Sequence, residues 1–199
     1  MTTRMPGPRD VVHPIERESF EILRSRVDLS HLLPLTRAVV ERVVHASADL
    51  SYVEDLVADE ASLWKGQSAL AAGARVVADV QMVAAGITTV DTVCRVREAR
   101  SVDGLTRSAV AVRMAFDEVG PGAVWVIGCA PTALFELISL GVDPALVIGL
   151  PVGFVGAAEC KAALRDSGLP AVSNISEKGG SAVASAALNA LLYSPLEDA

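Results

Sequence analysis

The sequence is short of basic blocks, cysteine pairs, aromatics and long apolar runs, and each shortage excludes a class of function. Lysine occurs only at Lys65, Lys161 and Lys178, and the net charge over 199 residues is -7. No cluster of Lys and Arg offers the basic face that phosphate neutralisation requires, so a nucleic-acid binder is not expected. Cys94, Cys129 and Cys160 are an odd number without C-x-x-C spacing. They suggest neither a disulfide framework nor a zinc site, and a reducing, cytoplasmic compartment is expected. No apolar run has the length of a membrane span, and residues 1–12 lack the apolar centre of a signal peptide. Aromatics are only 4% of the chain. Ala, Val, Leu and Ile must therefore make the core, which favours helices packed on a Val/Ile-rich sheet.

The hydrophobic content of 51% against 21% charged is that of a globular chain. A single domain is expected over residues 13–194, with 1–12 a flexible arm and 195–199 a tail. Pro14 opens a helical pattern, "PIERESFEILRSRV" (14–27). "PLTRAVVERVVHAS" (34–47) and "DEASLWKGQSALAAG" (59–73) read as two more helices. From residue 74 onward short apolar strands alternate with helices. The strands are expected over 74–80, 92–98, 123–129, 145–152 and 170–175, and the helices over 106–119, 131–141, 156–168 and 180–193. Such alternation means a parallel, doubly wound sheet covered by helices on both faces, with a helical N-terminal extension. Ligands of such folds sit beyond the carboxyl ends of the strands. There lie Asp79–Met82, Gly128–Thr132, Gly149–Gly156 and Ser173–Ser181.

Several motifs fail. "GLPVGFVG" (149–156) is not G-x-G-x-x-G, and "EKGGSAV" (177–183) has its lysine on the wrong side of the glycines for a P-loop. No G-x-S-x-G elbow occurs, and His13, His31 and His45 lack metal-ligand spacing. Three features remain. "KGGS" opens a helix, so Lys178, Gly179, Gly180 and Ser181 make either an anion site or a plain Gly-rich turn with a Ser N-cap. Asp79 stands at a strand end, as a helix cap or a ligand contact. In "ERVVHASADL" (41–50), Val43 and Val44 mark a buried stripe while Arg42 and His45, three apart, share the polar face.

Seven ordered blocks carry a resemblance. They are "PIERESFEILRSRVDLS", "VVHAS" (43–47), "DVQMVAAGI" (79–87), "TRSAVA" (106–111), "IGCAPTALFEL" (127–137), "IGLPVGFVGAAECK" (148–161) and "KGGSAVASAALNALL" (178–192). Together they resemble the precorrin-8X methylmutase family of corrin biosynthesis, from about Pro14 to Tyr193.

The resemblance implies a flavodoxin-like fold and a homodimer. It implies an isomerase that moves a methyl group of its tetrapyrrole substrate, precorrin-8X or the cobalt form, from C-11 to C-12 without a redox cofactor. By the same resemblance His45 is the catalytic acid, and Ser19, Arg42 and Arg107 contact substrate. Histidine suits this role because it holds a proton near neutral pH, and a helix C-terminus favours the imidazolium. Glu41 is expected to offset the charge of Arg42 beside His45. Two departures from the family pattern stand out. Ile175 and Glu177 occupy positions where arginines are frequent, and Cys129 replaces an asparagine. A non-catalytic tetrapyrrole carrier on the same fold is the competing reading.

Overall fold

The computed structural model describes residues 13–102 and 104–196; the expected arm at 1–12 lies outside them. Two helices lead the chain, α1 (Pro14–Arg26) and α2 (Pro34–Ser47), followed by a single turn, α3 (Tyr52–Asp55). Both long helices open on proline, whose missing N–H costs nothing at a first turn. The His13 side chain caps α1 by accepting from the Ile15 N–H at 3.2 Å. No local side chain caps α2. Its Leu35 and Thr36 N–H groups are taken instead by the Glu60 carboxylate, at 2.8 and 2.9 Å.

The remaining elements are β1 (Leu56–Ala58), α4 (Glu60–Ala71), β2 (Val76–Ala78), α5 (Gln81–Gly86), β3 (Thr92–Val93), α6 (Arg107–Val119), β4 (Val124–Ile127), α7 (Pro131–Ser139), β5 (Leu146–Gly149), α8 (Ala157–Asp166), β6 (Ala171–Asn174) and α9 (Ser181–Tyr193). The six strands lie in the order β1-β6-β5-β4-β2-β3. From β2 to β6 all pairs are parallel, and the parallel strands, renumbered among themselves, run 2-1-3-4-5, the flavodoxin-like order.

The sheet is therefore mixed, not wholly parallel as expected. β1 pairs antiparallel with β6, Val57 opposite Ser173. Three residues, Leu-Val-Ala, are too few to display a period, which is why the sequence concealed this edge strand. The expected strand at 92–98 shrinks to two residues, because Glu98 and Ala99 turn back onto the Arg95 carbonyl. α5 was also missed; six residues ending in glycine show less than two turns of pattern.

Alternation along β4 explains the layers. Val124 and Val126 point into a core shared with α2, α4, α5 and α9. Trp125 and Ile127 point to the opposite face, toward α6, α7 and α8. All four are at most 1% exposed, as a strand covered on both faces requires. α2 thus joins α9 on one face of the sheet, and α1 lies outside α2. The two leading helices thus pack on the rest of the described structure, α2 directly on α9 and α4, and α1 on α2.

Candidate active site

His45 occupies the last turn of α2, which ends at Ala48 in a left-handed conformation. Arg42 lies one turn earlier. Both line a cavity of about 480 Å³ together with Ala46, with Met82 and Gly86 of α5, and with Ser181, Ala182, Ser185, Ala186 and Asn189 of α9. The cavity begins where α5 and α9 start, after the carboxyl ends of β2 and β6, the edge expected from the fold. Two wider depressions, of about 700 and 710 Å³, lie around Arg24 and around Trp64, and neither includes His45.

α1 crosses α2 and sets its polar face. The Ser19 hydroxyl and His45 Nδ1 are 2.8 Å apart. The Phe20 ring stacks on the imidazole, centroids 4.8 Å apart and planes within 15° of parallel. The Arg42 guanidinium donates to Glu16 at 3.3 Å and lies over the Phe20 and Tyr193 rings, at 5.5 and 4.8 Å from their centroids. Glu41 does not offset Arg42 as expected. It is buried and takes both arms of Arg24, at 2.9 and 2.7 Å. A buried carboxylate needs its own cation, and Arg24 reaches it from the far end of α1.

The glycine segment before α9 divides. Ser181 reaches the cavity as the first residue of α9, while Gly180 is the cap residue. The Gly180 N–H goes to the Leu150 carbonyl at 2.9 Å. Gly179 is held at φ 152° with its Cα against the Leu150 and Pro151 carbonyls, so any Cβ there would collide with backbone. The Lys178 ammonium is engaged with Asp49 at 2.7 Å and with Ser51, and it lies over the Tyr52 ring. That bonding, with Lys178 first and Ser51 next, holds the Asp49 carboxyl down at about 2. Arg107 is exposed at the start of α6 and is not among the residues that line the cavity. Ile175 and Glu177 lie on the outside of the β6–α9 loop.

Asp79 takes the capping role of its two expected ones, but at another helix. Its buried carboxylate crosses the sheet's switch point and accepts the N–H groups of Gly128, Cys129 and Ala130, at 3.0, 2.8 and 2.9 Å. It caps the turn into α7, not its own helix α5. Cys129 therefore contributes its backbone N–H here. Burial pushes the Asp79 carboxyl above its ordinary value, against the pull of the three donors.

Sequence reasoning also passed over Lys161, Asn174 and Asp55. Fully buried Lys161 donates to Asn174 Oδ1 at 2.8 Å and to the Ser176 and Lys178 carbonyls at 2.5 and 2.6 Å. Burial brings its ammonium down to about 8. Asp55 accepts the Ile175 and Ser176 N–H groups, the Ser176 hydroxyl and the Asn174 amide. This network braces the β6–α9 loop that leads to Ser181. The one signal in the sequence was a lone lysine in the otherwise apolar "CKAAL" of α8.

Among the described residues no group of three or more His, Cys, Asp or Glu is placed to hold a metal ion, and no helix is long and apolar enough to cross a membrane.

The sequence model of the precorrin-8X methylmutase family matches residues 14–194. The chain belongs to this family. Methylmutases are isomerases, and this family acts in cobalamin biosynthesis. The chain is 36% identical to a cobalt-precorrin-8 methylmutase of Methanocaldococcus jannaschii over 89% of this chain and 91% of the relative. It is 39% identical to the protein of that name from Salmonella typhimurium, over 90% and 93%. It is 41% identical to a precorrin-8X methylmutase of Pseudomonas aeruginosa, over 89% and 93%. Among solved structures, a precorrin-8x methyl mutase from Thermus thermophilus superposes with a TM-score of 0.80 at 33% identity, covering 89% of this chain and 93% of that one. In this methylmutase fold the helices that carry the cavity, α2, α5 and α9, all lie within the matched region.

Proposed function

We propose that the chain moves the C-11 methyl group of precorrin-8X, or of its cobalt form, to C-12 to give hydrogenobyrinate or its cobalt counterpart, with His45 as general acid. The observation that carries this reading is the setting of the imidazole. Nδ1 is engaged by Ser19, which leaves Nε2 to serve the cavity shared with Arg42 and the start of α9.

In this reaction the methyl–C-11 bond breaks as the methyl–C-12 bond forms, and nothing is oxidised or reduced. A proton offered from Nε2 draws electron density out of the conjugated ring during the shift and is returned afterwards. Such help is worth typically 10²–10⁴-fold, order of magnitude. The Ser19 hydroxyl accepts the Nδ1 proton both in the imidazolium and in the neutral ring that remains once Nε2 has given up its proton. Ser19 therefore acts through His45 in this reading.

Arg42 grips a substrate carboxylate, which displaces Glu16 from its long 3.3 Å contact. The open N–H groups at the first turn of α9, with the Ser181 hydroxyl, take another. Arg107 and the Lys178–Gly180 segment are assigned to carboxylates on the part of the macrocycle outside the cavity. Two copies form the working unit. Phe154 and Val155, 98% and 88% exposed, and the apolar outer face of α1 at Ile15 and Ile22 support an interface. The three unpaired cysteines fit the cytosol.

The test is single-turnover conversion of metal-free and cobalt precorrin-8, followed by visible absorption, for the wild type and His45→Ala beside a binding titration. Conversion by the wild type and binding without conversion by the mutant support the reading. Binding without conversion by the wild type makes the chain a tetrapyrrole carrier. Sedimentation showing only monomer at micromolar concentration would overturn the dimer.

A further inference from the structure

α1 holds His45 at two points through adjacent residues. Ser19 bonds one ring nitrogen at 2.8 Å, and Phe20 lies flat against the ring, 4.8 Å between centroids and 15° from parallel. A histidine ring turns easily about its last torsion, whose wells are broad and roughly two-fold. A half-turn exchanges Nδ1 for one ring carbon and Nε2 for the other. A single hydrogen bond resists that exchange but leaves the ring free to tilt about the bond. A parallel aromatic face removes the tilt, because the two rings stay in contact only while their planes stay aligned.

Phe20 is not among the residues that line the cavity. We propose that Phe20 is a positioning residue for His45: its ring fixes the imidazole plane so that Nε2 is presented to the ligand. This rests on the reading of His45 as the acid.

The Phe20 ring is itself held in place by its neighbours. On α2, Arg42 lies 5.5 Å from the Phe20 centroid and is bonded to Glu16 of α1. Arg24 of α1 lies 5.7 Å from the same centroid and is bonded to Glu41 of α2. Each guanidinium near the ring is thus tied to a carboxylate of the facing helix, which fixes how α1 and α2 cross at this point.

The experiment uses the full chain with three substitutions. Phe20→Leu and Phe20→Met keep apolar bulk without a flat face; Phe20→Tyr keeps the face. The orientation of the His45 ring in the ligand-free protein is read by NMR from the contacts of its ring protons with the side chains at 19 and 20. Single-turnover rate and substrate affinity are measured separately. The expected result is a rate loss of roughly 10- to 100-fold at saturating substrate for Leu and Met, as for a misaligned catalytic group. Affinity stays at the wild-type value, the His45 ring loses its fixed orientation, and Tyr restores both rate and orientation. Wild-type rate and an unchanged ring orientation in the Leu or Met variant, with His45→Ala inactive, overturn the proposal and leave the acid reading standing. Full turnover by His45→Ala overturns the acid reading and the proposal with it.

Discussion

Two neighbouring polar regions of this molecule are built on opposite terms. The β6–α9 loop is closed on itself. Lys161 spends its donors on three acceptors, and the Asp55 carboxylate takes four donors from the same loop. The cavity beside it is left open. His45 is bonded through Nδ1, Arg42 holds Glu16 only at 3.3 Å, and Asn189 Oδ1 is buried without a partner among the described residues while its amide nitrogen is fixed on the Gly86 carbonyl. A satisfied polar cluster gives rigidity, because no alternative arrangement improves it. An unsatisfied one is held in readiness for a ligand's groups. The loop positions the start of α9; the cavity is where we propose that the chemistry takes place.

The comparison breaks first at His45. His45→Ala removes the proposed acid from a partly buried position on the polar face of α2, so the fold and substrate binding survive while single-turnover conversion drops by about two to four orders of magnitude. A parallel fall in melting temperature would show that the open region is structural after all.

Lys161→Met is the opposite case. It leaves Asn174 Oδ1 without its ammonium donor, and the Ser176 and Lys178 carbonyls with only the Asn174 amide, at 3.3 and 3.0 Å. A stability loss of about 3 kcal/mol is expected in urea unfolding, the scale of charge-assisted hydrogen bonds lost from a buried site. An unchanged midpoint would mean that the loop does not need its brace.

Arg42→Ala should weaken substrate binding by about 1.5–3 kcal/mol, the cost of one charge-assisted hydrogen bond, with little change in melting temperature. Titration against the wild type checks it. A sharp melting shift with intact affinity would move Arg42 to the structural region, as a partner of Glu16 alone.

The smallest effect is a pH slope. Burial holds folded Lys161 at about 8, against 10.5 for the unfolded chain. Between these values the unfolded state carries a proton that the folded state has lost. Stability from this group therefore rises with pH across that window, by at most about 1.4 kcal/mol per unit. The difference in unfolding free energy between wild type and Lys161→Met should grow from pH 8 to 10; a flat difference would show that the ammonium is not desolvated.

Patterns within one element were legible in the sequence. The valine stripe of α2 put Arg42 and His45 together on its other face, and both do line one cavity. The apolar runs in β4 and β5 gave strands buried on both sides. These follow from backbone periods that act over a few residues. Partnerships between elements were decided only by the tertiary structure. The Ser19–His45 contact spans 26 positions and the Lys178–Asp49 pair 129. β1 became an antiparallel edge because β6 was there to pair with it. Glu41 turned to Arg24 instead of Arg42, and Asp79 capped a turn on the neighbouring strand. A side chain's reach is fixed by its type, but the group at the end of that reach is set by how the helices cross. A carboxylate or ammonium leaving water takes whichever partner the packing supplies, and no local pattern records which one that is.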